Sequence, residues 1–430
     1  MKQQASANDY DFVVVGGGPV GAVMALGLAD QGHNVALIER TAPETSAVPN
    51  RLGVDPRTVA LSVASKQLLD RYGAWPETDI GAFAHMEVWE DRGTSVLRFG
   101  ADDVGQDALG HIAEVRPWLV QLWRQLENSA VTCILGRSVS AVHEAAHGFR
   151  LVLSDTNGSS AFGPGSPQSP KSPKREDDAA QQSDALSAAT LIAADGAASV
   201  VRRELGVPMP LTDTGQSALA FAARLENTHE HTAFQRFLAD GPLALLPMAD
   251  PQLISVVWSA NNSRADELSA LGTDQLRCAL ERATDARLGR IEDSIPAIRF
   301  PLRQGVISSF CPRPNLVFIG DAARVVHPLA GQGVNLGFED VRSLLKCTGE
   351  KHRGSTQVEP AGLQRFARVR RARSRLAVAA MTALAGGYAG QSPGLLLARN
   401  SVTRALGRFD FARRALVLEA MGLGPLAKAS

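Results

Sequence analysis

The run DFVVV at residues 11–15 meets GGGPVG at residues 16–21 with nothing between them, and this junction limits the fold more than any other feature of the chain. A β-branched run reads as a buried strand, and helical spacing resumes over residues 22–30 before Gly32 and a second apolar run at 35–38. Strand, glycine turn, helix and strand make a βαβ unit, whose strands must be parallel and covered on both faces. Gly16, Gly18 and Gly21 stand at the GxGxxG positions, where glycine permits a tight turn and lets backbone amides approach a pyrophosphate at a helix N-terminus. Glu39 closes the second strand about 20 residues later, where a carboxylate accepts from an adenosine ribose. A second glycine match, residues 422–427, has no helix after it and carries no such expectation.

A second signal separates NAD from FAD. The buried-strand pattern at 316–319 ends in Gly320-Asp321, which places a carboxylate within reach of ribityl hydroxyls, and the small residues beyond it open a helix toward a flavin ring. Between these motifs the chain alternates helix-like stretches (62–72, 118–127, 273–287) with strand-like ones (86–89, 96–99, 150–153, 189–194, 241–248, 254–258). Residues 155–187 shift to Ser, Pro, Gly, Gln and charge, a composition that predicts a disordered insert between two neighbouring strands, with an interdomain linker as the alternative. The expected fold class is α/β: a doubly wound FAD-binding domain (8–76, 111–205 and 299–350), a mostly antiparallel substrate-binding sheet domain (77–110 and 206–298) and a C-terminal helical region (351–430).

The stretch HPLAGQGVNLGFED, His327 to Asp340, resembles the signature of the ubiquinone-biosynthesis FAD-dependent hydroxylases (the UbiH, UbiF and VisC group), within the aromatic-ring flavoprotein monooxygenases. DPRTVALS from Asp55, ADGAASVVR from Ala194 and GPLALLPM from Gly241 resemble further segments of that family. The resemblance implies that Gly16, Gly18, Gly21, Glu39 and Arg40 hold the AMP half of FAD, that Arg57 and Arg116 reach the flavin or its phosphates, and that Asp321 holds the ribityl chain. It places Gly331, Gln332 and Gly333 against the flavin's pyrimidine edge, counts Pro328, Val334, Asn335 and Gly196 among the cofactor-binding residues, and gives Asp195 a part in holding FAD and admitting the nicotinamide cofactor. NADH or NADPH is the implied transient donor, since no second glycine-rich βαβ unit is present. The implied reaction is oxygen insertion into the ring of a prenylated phenol or quinone precursor. His327 is the candidate for orienting substrate or relaying a proton, beside the plainer reading of a His-Pro turn that shapes a loop. Arg324 stands where many relatives carry His. A reductase or dehydrogenase on the same fold, or a flavin-bound assembly scaffold, are the alternative functions.

Charge and composition bound the partners. Lys plus Arg equals Asp plus Glu at 44 each, so no net field draws the chain to nucleic acid. The longest apolar stretch, 376–390, contains Gly386 and Gly387 and is shorter than the roughly 18 residues a membrane span needs. A cytoplasmic protein is expected, with peripheral contact to the inner membrane or association with other ubiquinone-biosynthesis enzymes suggested by the basic C-terminal segment. There Arg368, Arg371 and Arg375 recur at helical spacing; a solvated face is the first reading, and contact with a phosphate, an acidic partner or anionic lipid the second. The four cysteines are expected as buried apolar side chains, and His229 and His231 as surface histidines with no metal set around them.

Overall fold

The computed structural model describes residues 8–45, 50–76, 79–91, 96–155, 185–326, 332–349, 358–389 and 410–424. Among these, the strands form a seven-stranded, a nine-stranded and a three-stranded sheet.

The seven-stranded sheet grows from the glycine junction. Strand Tyr10–Val15 lies between Val35–Glu39, the next strand in sequence, and Ala185–Ala193, a strand far along the chain, and pairs parallel with both. Leu316–Phe318 adds in parallel beside Ala185–Ala193, and Thr132–Leu135 beside Val35–Glu39. Because Tyr10–Val15 has one neighbour on each side reached by opposite crossovers, the crevice beyond its carboxyl end is a topological switch point, the place where open α/β sheets bind ligands. Helix Pro19–Asp30 starts with Pro19 in its first turn, where a missing N–H costs nothing, and residues 21–28 are buried between the sheet and helix Gln332–Gly349. Burial on every side explains why its sequence is apolar all round instead of amphipathic.

Gly148–Asp155 and Arg137–Ala145 extend this sheet antiparallel. Both the expected neighbours around the insert are thus paired, but the strands reach further into it than composition suggested: Asp155 ends one strand and Ala185 begins the next, so 185–187 belong to the sheet. Antiparallel pairing of 185–187 with 150–152 overrides the polar composition there. Residues 156–184 lie outside the described residues.

The nine-stranded sheet is antiparallel apart from one pair, Thr232–Leu238 with His85–Glu90. Its central strand, Thr212–Leu225, pairs with Leu253–Asn261 and with Ile298–Val306. The latter strand belongs to this second sheet, and the chain returns to the first only at Leu316–Phe318. Phe221, Leu243, Val256 and Trp258 cover a core closed by helices Asn262–Ser269 and Thr273–Ala283. The small sheet Thr58–Ser62, Gly110–Glu114 and Ile80–Phe83 bridges the two larger ones, and Thr58 Oγ1 meets Ser255 Oγ across that junction at 2.6 Å.

Two expectations about single residues fail. Cys278 is exposed on helix Thr273–Ala283 and the other three cysteines are only half-buried, because the apolar face of that helix is filled by Leu276, Ala279 and Leu280. His229 is 2% exposed, not a surface residue: its Nε2 lies 3.1 Å from the Met248 carbonyl and 3.2 Å from that of Asp250, which stitches two turns together.

Candidate cofactor site

Three parallel strands deliver acidic residues to one crevice. Val35–Glu39 ends at Glu39, Ala185–Ala193 runs into Ala194-Asp195, and Leu316–Phe318 runs through Ile319 into Gly320-Asp321. Tyr10–Val15 runs between them into Gly16, whose φ of +104° is a backbone state open to glycine and strained for other residues. A Cβ on Gly16 would lie 2.4 Å from the Ala194 carbonyl oxygen, and one on Gly21 only 1.9 Å from that of Gly16. Tight backbone contact, not only turn geometry, therefore fixes these two glycines. At Gly18 and Gly196 a Cβ would meet nothing within 4 Å, so neither glycine is packed against the chain on that side.

Hydrogen bonds lock the turn. Glu39 Oε2 accepts from the Gly17 N–H at 2.6 Å and Oε1 from the Thr41 N–H at 3.0 Å, while the Trp123 indole donates to the Gly17 carbonyl at 3.0 Å. Asp195 Oδ2 accepts from the Val200 and Val201 amides at 2.7 and 3.2 Å, at the start of helix Val200–Glu204. Its Oδ1 is buried and meets no donor among the described residues. Burial pushes the Asp195 carboxyl up, against the pull of Ser199 and the nearby amides.

Asp321 is exposed toward the crevice although the chain closes around it. That surrounding chain pushes its carboxyl up, with Asp340 adding to the rise and the Arg324 guanidinium opposing it. Gly320 packs against helix Pro19–Asp30, its Cβ position 3.3 Å from Val20 Cγ1. The glycine turn at 16–21 and the Gly-Asp pair at 320–321 are therefore walls of one crevice. Helix Gln332–Gly349 opens beside it, with the Gly333 Cβ position nearly clear and Val334 half-buried. His327, Pro328 and Gly331 lie outside the described residues.

Behind this wall is a buried ionic cluster that sequence reasoning did not single out. Asp340, fully buried, accepts from the Gly320 N–H at 3.0 Å, from Arg324 Nη1 at 2.6 Å and from Arg370 Nε at 2.6 Å. Arg370 also donates to Glu339 Oε2 at 2.9 Å and to the Leu336 carbonyl at 3.1 Å. One carboxylate thus ties the Gly-Asp turn to two helices, and Arg324 is 1% exposed in consequence. The sequence signals were that Asp340 ends the HPLAGQGVNLGFED stretch and that Arg324 stands where many relatives carry His.

Asn335 follows on the same helix. Its side-chain amide is taken up by the chain itself: Oδ1 accepts from the Ser62 N–H at 2.9 Å and Ser65 Oγ at 2.7 Å, and Nδ2 donates to the Ala60 carbonyl at 2.7 Å. It fastens helix Gln332–Gly349 to the 58–65 segment. Arg40 is exposed at the bend past Glu39.

Arg57 and Arg116 come together through a residue not predicted as part of the site. Asp55, 2% exposed, accepts from the Arg57 N–H and the Arg116 N–H, each at 3.0 Å, and from Arg57 Nε at 3.3 Å. Arg116 also pairs with Glu44 at 2.9 Å, which links it to the segment after Glu39. Glu114 Oε2 accepts from the Asp55 N–H at 2.6 Å. Burial, with Asp79 and Asp55 close by, pushes the Glu114 carboxyl up to about 7 in spite of that amide.

A doubly wound sheet with a glycine turn, a carboxylate at the end of the next strand and a distant Gly-Asp turn at one switch point, joined to a large antiparallel sheet, defines a flavoprotein of the FAD-dependent hydroxylase architecture. A model of the FAD binding domain family matches residues 9–75 and 167–381, more than half of the chain. The chain is 29% identical over 418 residues to the 3-demethoxyubiquinol 3-hydroxylase of Escherichia coli K12, covering 96% of this chain and 98% of that one. It is 31% identical over 380 residues to the human mitochondrial ubiquinone biosynthesis monooxygenase COQ6, covering 78% and 76%. The protein belongs to the FAD binding domain family, among the ubiquinone-biosynthesis monooxygenases. Its fold is shared by p-nitrophenol 4-monooxygenase PnpA of Pseudomonas putida DLL-E4, at a TM-score of 0.69 and 17% identity over 96% of this chain and 98% of that one.

Proposed function

We propose that this protein is an FAD- and NAD(P)H-dependent monooxygenase that hydroxylates the aromatic ring of a prenylated phenol or quinone precursor in ubiquinone biosynthesis. The observation that carries the reading is the meeting of Gly16–Gly21 with Gly320-Asp321 in one crevice, a pairing that a nicotinamide-binding βαβ unit alone does not need.

The crevice fits FAD on its own chemistry: Gly18 and Gly196 leave room for a backbone-bound pyrophosphate, Asp195 Oδ1 lacks a donor, and the Asp321 carboxylate faces open space. In this reading Gly16, Gly18, Gly21 and Glu39 hold the AMP half, Asp321 the ribityl chain, and Gln332, Gly333 and Val334 present a helix N-terminus to the ring. Bound there, FAD supplies the chemistry, taking hydride from NADH or NADPH and activating O2 for insertion into an electron-rich ring. The chain's part is to position and to exclude water. Asp55 fixes the backbone of Arg57 and Arg116, which in this reading reach the cofactor's charged face, and the nine-stranded sheet bounds the substrate side. His327 is the candidate proton relay. The segments 8–76, 111–205 and 307–350 make the FAD unit in this reading, and 77–110 with 206–306 the substrate unit. No helix among the described residues is long and apolar enough to cross a membrane, so access to a prenylated substrate goes through peripheral membrane contact or a complex with other enzymes of the pathway.

The test is substrate-stimulated NAD(P)H oxidation by the purified FAD-loaded protein with isotopically labelled O2. Label in the ring supports the proposal. Substrate reduction without label points to a reductase, and a yellow protein with no turnover to a scaffold.

A further inference from the structure

Helix Pro360–Ala389 uses one face to close the fold and carries a row of arginines on another. The inward face carries Leu363, Phe366 and Ala367, together with Arg370 in its ionic cluster. Its neighbour Arg373 is also matched, by Glu339 and Glu419. A different face carries Arg368, Arg371 and Arg375. With Gln364, Ser308 and Ser309 these line a cleft of about 480 Å³ between the helix and the loop after Ile298–Val306.

None of these three guanidinium groups has a carboxylate partner among the described residues, and Arg371 Nε is buried with no acceptor. Arg313, in the stretch just after that loop, is by contrast taken up by Glu144 and the Leu205 carbonyl. Like charges three and four positions apart on a helix repel, so the unmatched stripe disfavours the helix that bears it unless an anion sits among the cations. Two hydroxyls and an amide complete a lining rich in donors. Planar guanidinium forks with hydroxyl donors around a concavity are the usual chemistry of phosphate recognition, and the cleft's volume suits a small organic phosphate as well as the free ion.

We propose that the Arg368–Arg371–Arg375 cleft is a phosphate-binding site separate from the cofactor crevice. It lies across the helix from Arg370, whose partner Asp340 anchors the Gly320 turn, so the ligand is not the pyrophosphate of FAD. Two sources share the chemistry, a soluble phosphate compound and a phospholipid headgroup. The second is suggested by the same helix, which has no charged residue from Leu376 to Ala389 and leaves Leu376 49% exposed.

The full-length FAD-loaded protein is titrated by calorimetry with inorganic phosphate. In parallel it is sedimented with phosphatidylcholine vesicles and with vesicles of equal phosphatidylcholine and phosphatidylglycerol. Arg371→Gln/Arg375→Gln is the main variant, and the single exposed-site variant Arg368→Gln keeps the test open should the double variant fold poorly. Retained FAD content shows that each variant is intact. The expected result is binding in at least one arm, weakened at least tenfold in the double variant. Loss in the phosphate arm names a soluble ligand, and loss confined to the phosphatidylglycerol arm names a headgroup; both support the site. Wild-type protein that binds neither probe, or variants that bind as tightly as wild type, overturn it.

Discussion

Replacing Asp340 by Asn should be among the most damaging single changes outside the apolar core. The carboxylate is fully buried and holds three donors: the Gly320 amide, Arg324 Nη1 and Arg370 Nε. An Asn keeps the shape and one acceptor oxygen but removes the charge that balances two guanidinium groups, themselves 1% and 0% exposed. Removing one partner of a buried ion pair costs about 3–5 kcal/mol, mostly from the stranded charge that remains. Arg370 keeps Glu339 as counter-ion at 2.9 Å, so its share is reduced, whereas Arg324 keeps no ion-paired carboxylate among the described residues and feels only the more distant Asp321. The loss should therefore match one broken pair, about 3–5 kcal/mol, and not two. The assay is equilibrium unfolding in urea with FAD in fixed excess, since a ligand bound to the native state adds to apparent stability. Adding Arg324→Met to the variant removes the stranded cation and should restore a large part of the loss. FAD affinity should fall in Asp340→Asn as well, because the Gly320 amide that presents Asp321 is then held by a weaker, uncharged acceptor. A loss below about 1 kcal/mol, within the range of an ordinary neutral hydrogen bond, or no recovery in the double variant, would refute the idea that the cluster holds this turn by charge.

Gly18→Val should fold normally, since its Cβ meets nothing within 4 Å, yet lose FAD affinity by about tenfold or more as amide contacts to the pyrophosphate are blocked; Gly21→Ala should fail to fold, its Cβ lying 1.9 Å from the Gly16 oxygen. Thermal unfolding beside fluorescence titration of FAD separates the two cases. Glu114, raised from 4.5 to about 7, binds its proton more tightly folded than unfolded. Its contribution is thus full below pH 4.5 and is lost as pH rises toward 7, so the stability of wild type relative to Glu114→Gln should fall across that window. Denaturation at a series of pH values checks the sign, and a difference growing with pH contradicts it. Among the cysteines, exposed Cys278 should alkylate first and Cys311, whose thiol burial pushes up to about 12, last. Mass spectrometry after limited iodoacetamide treatment reads the order, and early labelling of Cys311 would contradict its burial.

What the sequence determined by itself is local. DFVVV followed by GGGPVG, Glu39 one strand later and the Gly-Asp pair after a buried run each state a backbone geometry within a few residues, and glycine conformation, helix starts and strand periodicity act at that range. Tertiary structure decided what depends on distant partners. It made Asp55 the common holder of Arg57 and Arg116, turned the Asn335 amide toward Ser62 and Ser65, buried His229 under two carbonyls and assigned Ile298–Val306 to the second sheet. It also sorted the arginines of one helix, pairing Arg370 and Arg373 with acids and leaving Arg368, Arg371 and Arg375 around a cleft. Spacing along a helix says which side chains share a face. Which face meets a carboxylate, and which meets water, is settled only by the elements that pack against it.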